Sequence, residues 1–104
     1  MNFTPLKVGI IGAGFIAGTS HIPSLQKLGK RVELVAIADN RPDALAYMQK
    51  YYQIPKAYTD PHEMLRENQF DVVHICTANN THKEFSIAAL RSGANVLCEK
   101  PLAL

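Results

Sequence analysis

The sequence predicts an α/β fold, a doubly wound parallel sheet with helices on both faces. Three observations predict it. Short runs that are apolar on both faces recur at residues 6–13, 32–39, 71–78 and 95–99, as in parallel strands covered from two sides. Stretches with helical caps and apolar stripes separate these runs. A glycine-rich turn, Gly12-Ala13-Gly14-Phe15-Ile16-Ala17, leaves the first run where such sheets bind phosphate.

The elements follow in order. Residues 6–13 form a strand, apolar apart from Lys7. The helix after the glycine turn contains Pro23, which removes a hydrogen-bond donor and should kink or break it. Residues 32–39 are the second strand. Pro42 then opens a helix whose apolar stripe is Leu45, Met48 and Tyr52. A weaker strand is expected around 57–59. Asp60-Pro61-His62-Glu63 reads as a capping box with proline at the first helical position. After the strand at 71–78, Thr81-His82-Lys83-Glu84 reads as a second box. Phe85, Ala88 and Ala89 should face the sheet, and Gly93 should supply the left-handed stop. Residues 95–99 are the last strand. Right-handed crossovers then give the strand order 3-2-1-4-5. Sheets of this kind usually carry six strands, so the sixth is expected to be absent here. A bare edge beside the fifth would favour pairing with another copy, a homo-oligomer.

The chain has 104 residues, enough for one domain over 1–104 and not for two. A hydrophobic content of 47% with 19% charged residues argues against disorder. The net charge is +2, and Lys27, Lys30 and Arg31 are the only loose basic group, too sparse for a nucleic-acid surface. No run reaches the ~18 apolar residues of a membrane span, and residues 1–7 do not read as a signal peptide. Cys76 and Cys98 lie in apolar runs without CxxC spacing, as reduced core residues of a cytoplasmic protein would. No metal site is expected.

The chemistry concentrates at strand ends. In the glycine turn, Gly12 permits a tight bend, Gly14 lets the backbone approach a pyrophosphate, and Ala17 allows close helix–strand packing. Phe15 and Ile16 complete the loop, whose N–H groups would hold the phosphates. Asp39 closes the second strand about 20 residues further on, the spacing of an acid that holds an adenosine ribose. Its charge would repel a 2′-phosphate and favour NAD over NADP. Arg41 could offset that repulsion by pairing with the phosphate. Asp39 as a cap for the next helix, and Arg41 as a solvated charge, are the other readings. The segment Cys76-Thr77-Ala78-Asn79-Asn80-Thr81-His82 lies at the topological switch point, where Asn79, Asn80 and Thr81 could reach ribose or pyrophosphate. Loop and cap chemistry would explain the same residues. His74 reads as a core residue, while His21 and His62 carry no clear signal. Glu99-Lys100-Pro101 ends the fifth strand, and the proline directs Lys100 away from helical geometry. Lys100 could reach a nicotinamide or substrate oxygen, or pair with Glu99.

Together the loop at 12–17, the segment 77–82 and Val96-Leu97-Cys98-Glu99-Lys100-Pro101 resemble the N-terminal Rossmann domain of the Gfo/Idh/MocA oxidoreductases, the glucose–fructose oxidoreductase and inositol dehydrogenase family. The chain departs from the family pattern at Ala78, where proline commonly follows the threonine. The resemblance implies a pyridine-nucleotide oxidoreductase acting on sugars, cyclitols or similar small alcohols. It implies a catalytic Lys100 beside the nicotinamide and substrate, Glu99 alongside it, a cis bond to Pro101, and His82 near the nicotinamide ribose. Family members are longer, and a second domain supplies the substrate pocket and the acid–base aspartate and histidine. The chain is therefore expected to be the cofactor-binding part, truncated at its C-terminal side and catalytically incomplete. A stand-alone NAD(H) sensor is one other function, against which Glu-Lys-Pro argues. A structural fragment that persists by oligomerising is another.

Overall fold

The computed structural model describes residues 4–12, 27, 29–76 and 79–98. Among these residues a short 3₁₀ turn (Gly29–Arg31) precedes β2, and the order is β1 (Leu6–Ile11), β2 (Val32–Ala38), α1 (Pro42–Tyr52), β3 (Lys56–Tyr58), α2 (Pro61–Glu67), β4 (Val72–Ile75), α3 (Asn79–Arg91) and β5 (Asn95–Cys98). The sheet is wholly parallel in the order β3-β2-β1-β4-β5, as the sequence predicts. The helix expected around Pro23 lies outside the described residues. No described helix is long and apolar enough to cross a membrane.

The winding reverses at β1, and the core divides accordingly. On one face Leu45 and Met48 of α1, with Ile54, pack over Val8, Ile10 and Ile37. On the other, Met64 and Leu65 of α2 and Ala89 of α3 cover Ile11, Ala36, Ala38, Val73 and Ile75. Phe85 and Ala88 join that second layer, as their spacing predicts. Burying such an aliphatic side chain contributes roughly 1.5–3 kcal/mol, so the two layers at β1 hold much of the fold's stability. Gly9 belongs to this packing. A Cβ there would meet the ring of buried Phe70 at 2.9 Å, so the absence of a side chain lets the ring lie on the strand.

One irregularity aims the site. Val8 pairs with Leu34 but Gly9 pairs with Ala36, which leaves Val35 as a bulge in β2. An extra residue breaks the alternation of faces. Val32 and Leu34 therefore pack on the α1 side, whereas Val35, Ala36 and Ala38 pack beneath α2 and α3.

The helix ends follow their local chemistry. Asp60 Oδ1 accepts the His62 N–H at 2.9 Å, and Pro61 opens α2. Gly93 has φ 97°, and the Ala94 N–H reaches the Ala89 carbonyl at 3.2 Å, the six-to-one bond of a Schellman stop. α1 ends in the same way on Gln53, at φ 54°, with the Ile54 N–H on the Gln49 carbonyl at 3.0 Å. The second capping box is corrected. α3 begins at Asn79, so Thr81 is inside the first turn. The first N–H groups of a helix have no intrahelical acceptor wherever it begins, so the two asparagines extend the first turn ahead of Thr81 and the cap position moves upstream of it.

Candidate functional site

Four strand ends meet at the carboxyl edge of the sheet. The Gly12 N–H donates to the Ala38 carbonyl at 2.7 Å and the Cys76 N–H to the Ile11 carbonyl at 2.8 Å. The Asp39 N–H donates to the Tyr58 carbonyl at 3.0 Å. These bonds hold the ends of β1, β2, β3 and β4 in line just where the winding changes direction. Gly12 then leaves β1 at φ 110°, a conformation that residues with a Cβ rarely adopt. The tight bend expected of the first glycine is present.

A cavity of about 470 Å³ opens at this switch point, within the range of small-molecule sites. One wall is Ile11, Gly12 and the segment from Ala38 to Arg41. The opposite wall is Pro61, Cys76, Thr81 and Phe85.

Asp39 is buried in the first wall, with 8% of its surface exposed. Its Oδ1 accepts the Arg41 backbone N–H at 2.7 Å and the Arg41 Nε–H at 3.0 Å, and its Oδ2 accepts Nη2–H at 3.2 Å. The hydrogen bond to the carboxylate, and then its charge, raise the Arg41 pKa further above its ordinary value. A buried carboxylate remains charged only with such partners. The carboxylate meets the N–H of Arg41, which sits at the N-cap position of α1, and α1 has no side-chain cap bond. Arg41 is exposed but engaged in an ion pair.

The part of the far wall contributed by Pro61 and Phe85 was not visible from sequence. His62 Nε2 lies 2.7 Å from Glu84 Oε2, and its ring packs against Phe85 with centroids 5.6 Å apart. These contacts join α2 to α3 at the cavity rim. The residues are far apart in the chain and meet only once the topology sets the two helices side by side. Thr81, expected as a cap, and Cys76, expected in the core, both line the cavity; Cys76 is half-buried. Cys76 follows β4 directly, at the head of the segment expected at the switch point. His74 is buried in mid-strand and partnered, as a core histidine should be. Asn79, Asn80 and His82 lie in the first turn of α3. Gly14, Phe15, Ile16, Ala17, Thr77, Ala78, Glu99 and Lys100, with the Lys100–Pro101 bond, lie outside the described residues. Among the described residues no cluster of three or more His, Cys, Asp or Glu is placed to hold a metal ion.

The pairing of a glycine bend with a buried acid in one cavity wall fits a dinucleotide. Residues 6–104 match the family profile described as an oxidoreductase family, NAD-binding Rossmann fold. The chain belongs to the Gfo/Idh/MocA family. Two relatives are the myo-inositol 2-dehydrogenase of Thermotoga maritima, 40% identical over 95% of this chain, and the D-glucoside 3-dehydrogenase of Escherichia coli, 38% identical over the whole of it. This chain spans 29% of the length of each. Among solved structures, the WlbA dehydrogenase of Bordetella pertussis, in complex with NADH and UDP-GlcNAcA, superposes with a TM-score of 0.88 at 28% identity. That match covers 96% of this chain and 30% of the other. The described residues are thus the Rossmann fold of a Gfo/Idh/MocA oxidoreductase, with the cavity at its switch point.

Proposed function

We propose that this chain binds NAD(H) across the carboxyl edge of its sheet and presents it for hydride exchange with a sugar, cyclitol or similar small alcohol. The observation that carries the reading is the placement of the Gly12 bend and the buried Asp39 in one cavity at the switch point. The names of the two dehydrogenase relatives and the NADH complex of the third support the substrate class and the cofactor.

Each group has a defined task in this reading. Asp39 accepts hydrogen bonds from the adenosine ribose and disfavours a 2′-phosphate, so NAD is preferred to NADP. Gly14, Phe15, Ile16 and Ala17 continue from Gly12 and offer N–H groups to the pyrophosphate. Thr77, Ala78, Asn79 and Asn80 line its other side, and His82 adjoins the nicotinamide ribose. Glu99 and Lys100 leave β5 at the nicotinamide end, where Lys100 is the catalytic residue and orients the substrate hydroxyl. Bound NAD+ supplies the hydride acceptor. The hydroxyl proton must pass to a base within hydrogen-bond reach. We assign that base to a substrate domain outside these 104 residues, so the chain alone is expected to bind cofactor without turnover.

Calorimetric titration with NAD+, NADH and NADP+ tests the proposal. Saturable binding with NAD(H) preferred is expected, and Gly14→Val should abolish it while thermal unfolding remains cooperative. A chain that binds none of the three overturns the reading. Undiminished affinity in Gly14→Val removes the loop from it.

A further inference from the structure

We infer, resting on the cofactor reading above, that His62 and Glu84 are positioning residues. Their contact ties the cavity ends of α2 and α3 together and sets the far wall against which the adenosine half of the cofactor lies. Glu84 is expected from the sequence to close a capping box at Thr81. With α3 beginning at Asn79, its carboxylate instead reaches another helix.

His62 directly follows Pro61, and Glu84 directly precedes Phe85. Pro61 and Phe85 both line the cavity. The imidazole Nε2 lies 2.7 Å from Glu84 Oε2. A carboxylate only accepts, so Nε2 carries the hydrogen, and the bond forms with a neutral or a charged ring. The same ring packs on Phe85, with centroids 5.6 Å apart and planes at 53°. His62 is itself fixed from behind, because Asp60 Oδ1 accepts its N–H at 2.9 Å and Pro61 restricts the backbone. One side chain thus holds both the carboxylate of α3 and the phenylalanine that lines the cavity.

The pair lies where apolar packing between the two helices is thin. On α2 the buried residues are Met64 and Leu65. Among the described side chains of α3 the buried one is Ala89, more than a turn beyond Glu84. Nearer the cavity, Phe85 is only partly buried. His62 and Glu84 are 41% and 58% exposed, so their contact adds little to global stability. Its effect is local, a bias of the two helix ends toward the spacing that brings Pro61 and Phe85 to one wall. A ligand bound between that wall and Asp39 senses the bias as the fraction of molecules whose wall is in place. The strength of an exposed pair limits the gain in affinity to about fivefold.

A double-mutant cycle tests the pair. NADH and 5′-AMP are titrated calorimetrically into the 104-residue chain, His62→Ala, Glu84→Ala, the double variant and His62→Gln, with thermal unfolding of each. Each alanine variant should weaken both ligands about three- to fivefold. The double variant should bind no more weakly than either single one, because the same contact is lost only once. His62→Gln keeps an N–H donor for Glu84 and should recover part of the affinity. Unfolding midpoints should stay within about 3 °C of the parent's. Alanine variants that bind as the parent does, losses that add in the double variant, or a His62→Gln that binds no better than His62→Ala would each overturn the inference and leave the cofactor reading standing. A parent chain that fails to bind NADH overturns that reading and this inference with it.

Discussion

Two aspartates, one at each end of the sheet, show how the same side chain serves two purposes. At the amino edge Asp71 Oδ2 accepts the Lys7 N–H at 2.7 Å, and the Asp71 N–H returns to the Lys7 carbonyl at 2.8 Å. Its own carbonyl accepts the Asn95 N–H at 3.0 Å. Asp71 is exposed, and it ties β1 to β4 and β5 through backbone groups. At the carboxyl edge Asp39 also takes a backbone N–H at 2.7 Å, yet it is buried, faces a cavity, and has an exposed guanidinium as its partner. A carboxylate closed off by fixed backbone partners stabilises a fold. One whose partner can be exchanged is available to a ligand.

Mutation can break this contrast at several levels. The largest effect should come midway between the edges. Gly9→Val drives a side chain into the Phe70 ring and should lower stability by about 3 kcal/mol in urea denaturation, taking both ends with it. Phe70→Leu in the same chain should restore part of the loss; no recovery would mean that the ring is not the obstacle. Asp71→Ala should cost about 1.5 kcal/mol of stability and leave the NADH affinity of the folded protein unchanged. Asp39→Ala should do the reverse. NADH affinity is expected to fall about tenfold, near 1.4 kcal/mol, with a smaller change in unfolding midpoint than Asp71→Ala produces. If the two variants behaved alike, the division of labour between the edges would be wrong. The smallest effect concerns Gln53, whose φ of 54° lies in the left-handed region. Gln53→Gly should stabilise the chain by about 0.5–1 kcal/mol with no change in binding.

The strand order was legible because it rests on few facts: apolar runs of strand length, crossovers long enough for helices, and a fixed crossover hand. Gly12 and Asp39 were legible from spacing, since the first must turn the chain and the second must end the neighbouring strand. What escaped depends on contacts distant in sequence or on backbone detail. An apolar run reads the same with or without an extra residue, so the bulge at Val35 left no trace. The stop at Gln53 lacks the glycine that would announce it. Pro61 and Phe85 share a wall, and His62 meets Glu84, only after α2 and α3 are laid together. Arg41 was partly legible: its nearness to Asp39 was evident, but its fork on the carboxylate was not.

The most direct test of the account is an amide chemical-shift map of the 15N-labelled chain during titration with NAD+. The account predicts that saturating shifts gather at Gly12, Asp39 to Arg41, Cys76 and Thr81, with Lys7, Asp71 and Asn95 unmoved. Shifts centred on the amino edge, or spread evenly over both ends, would contradict it.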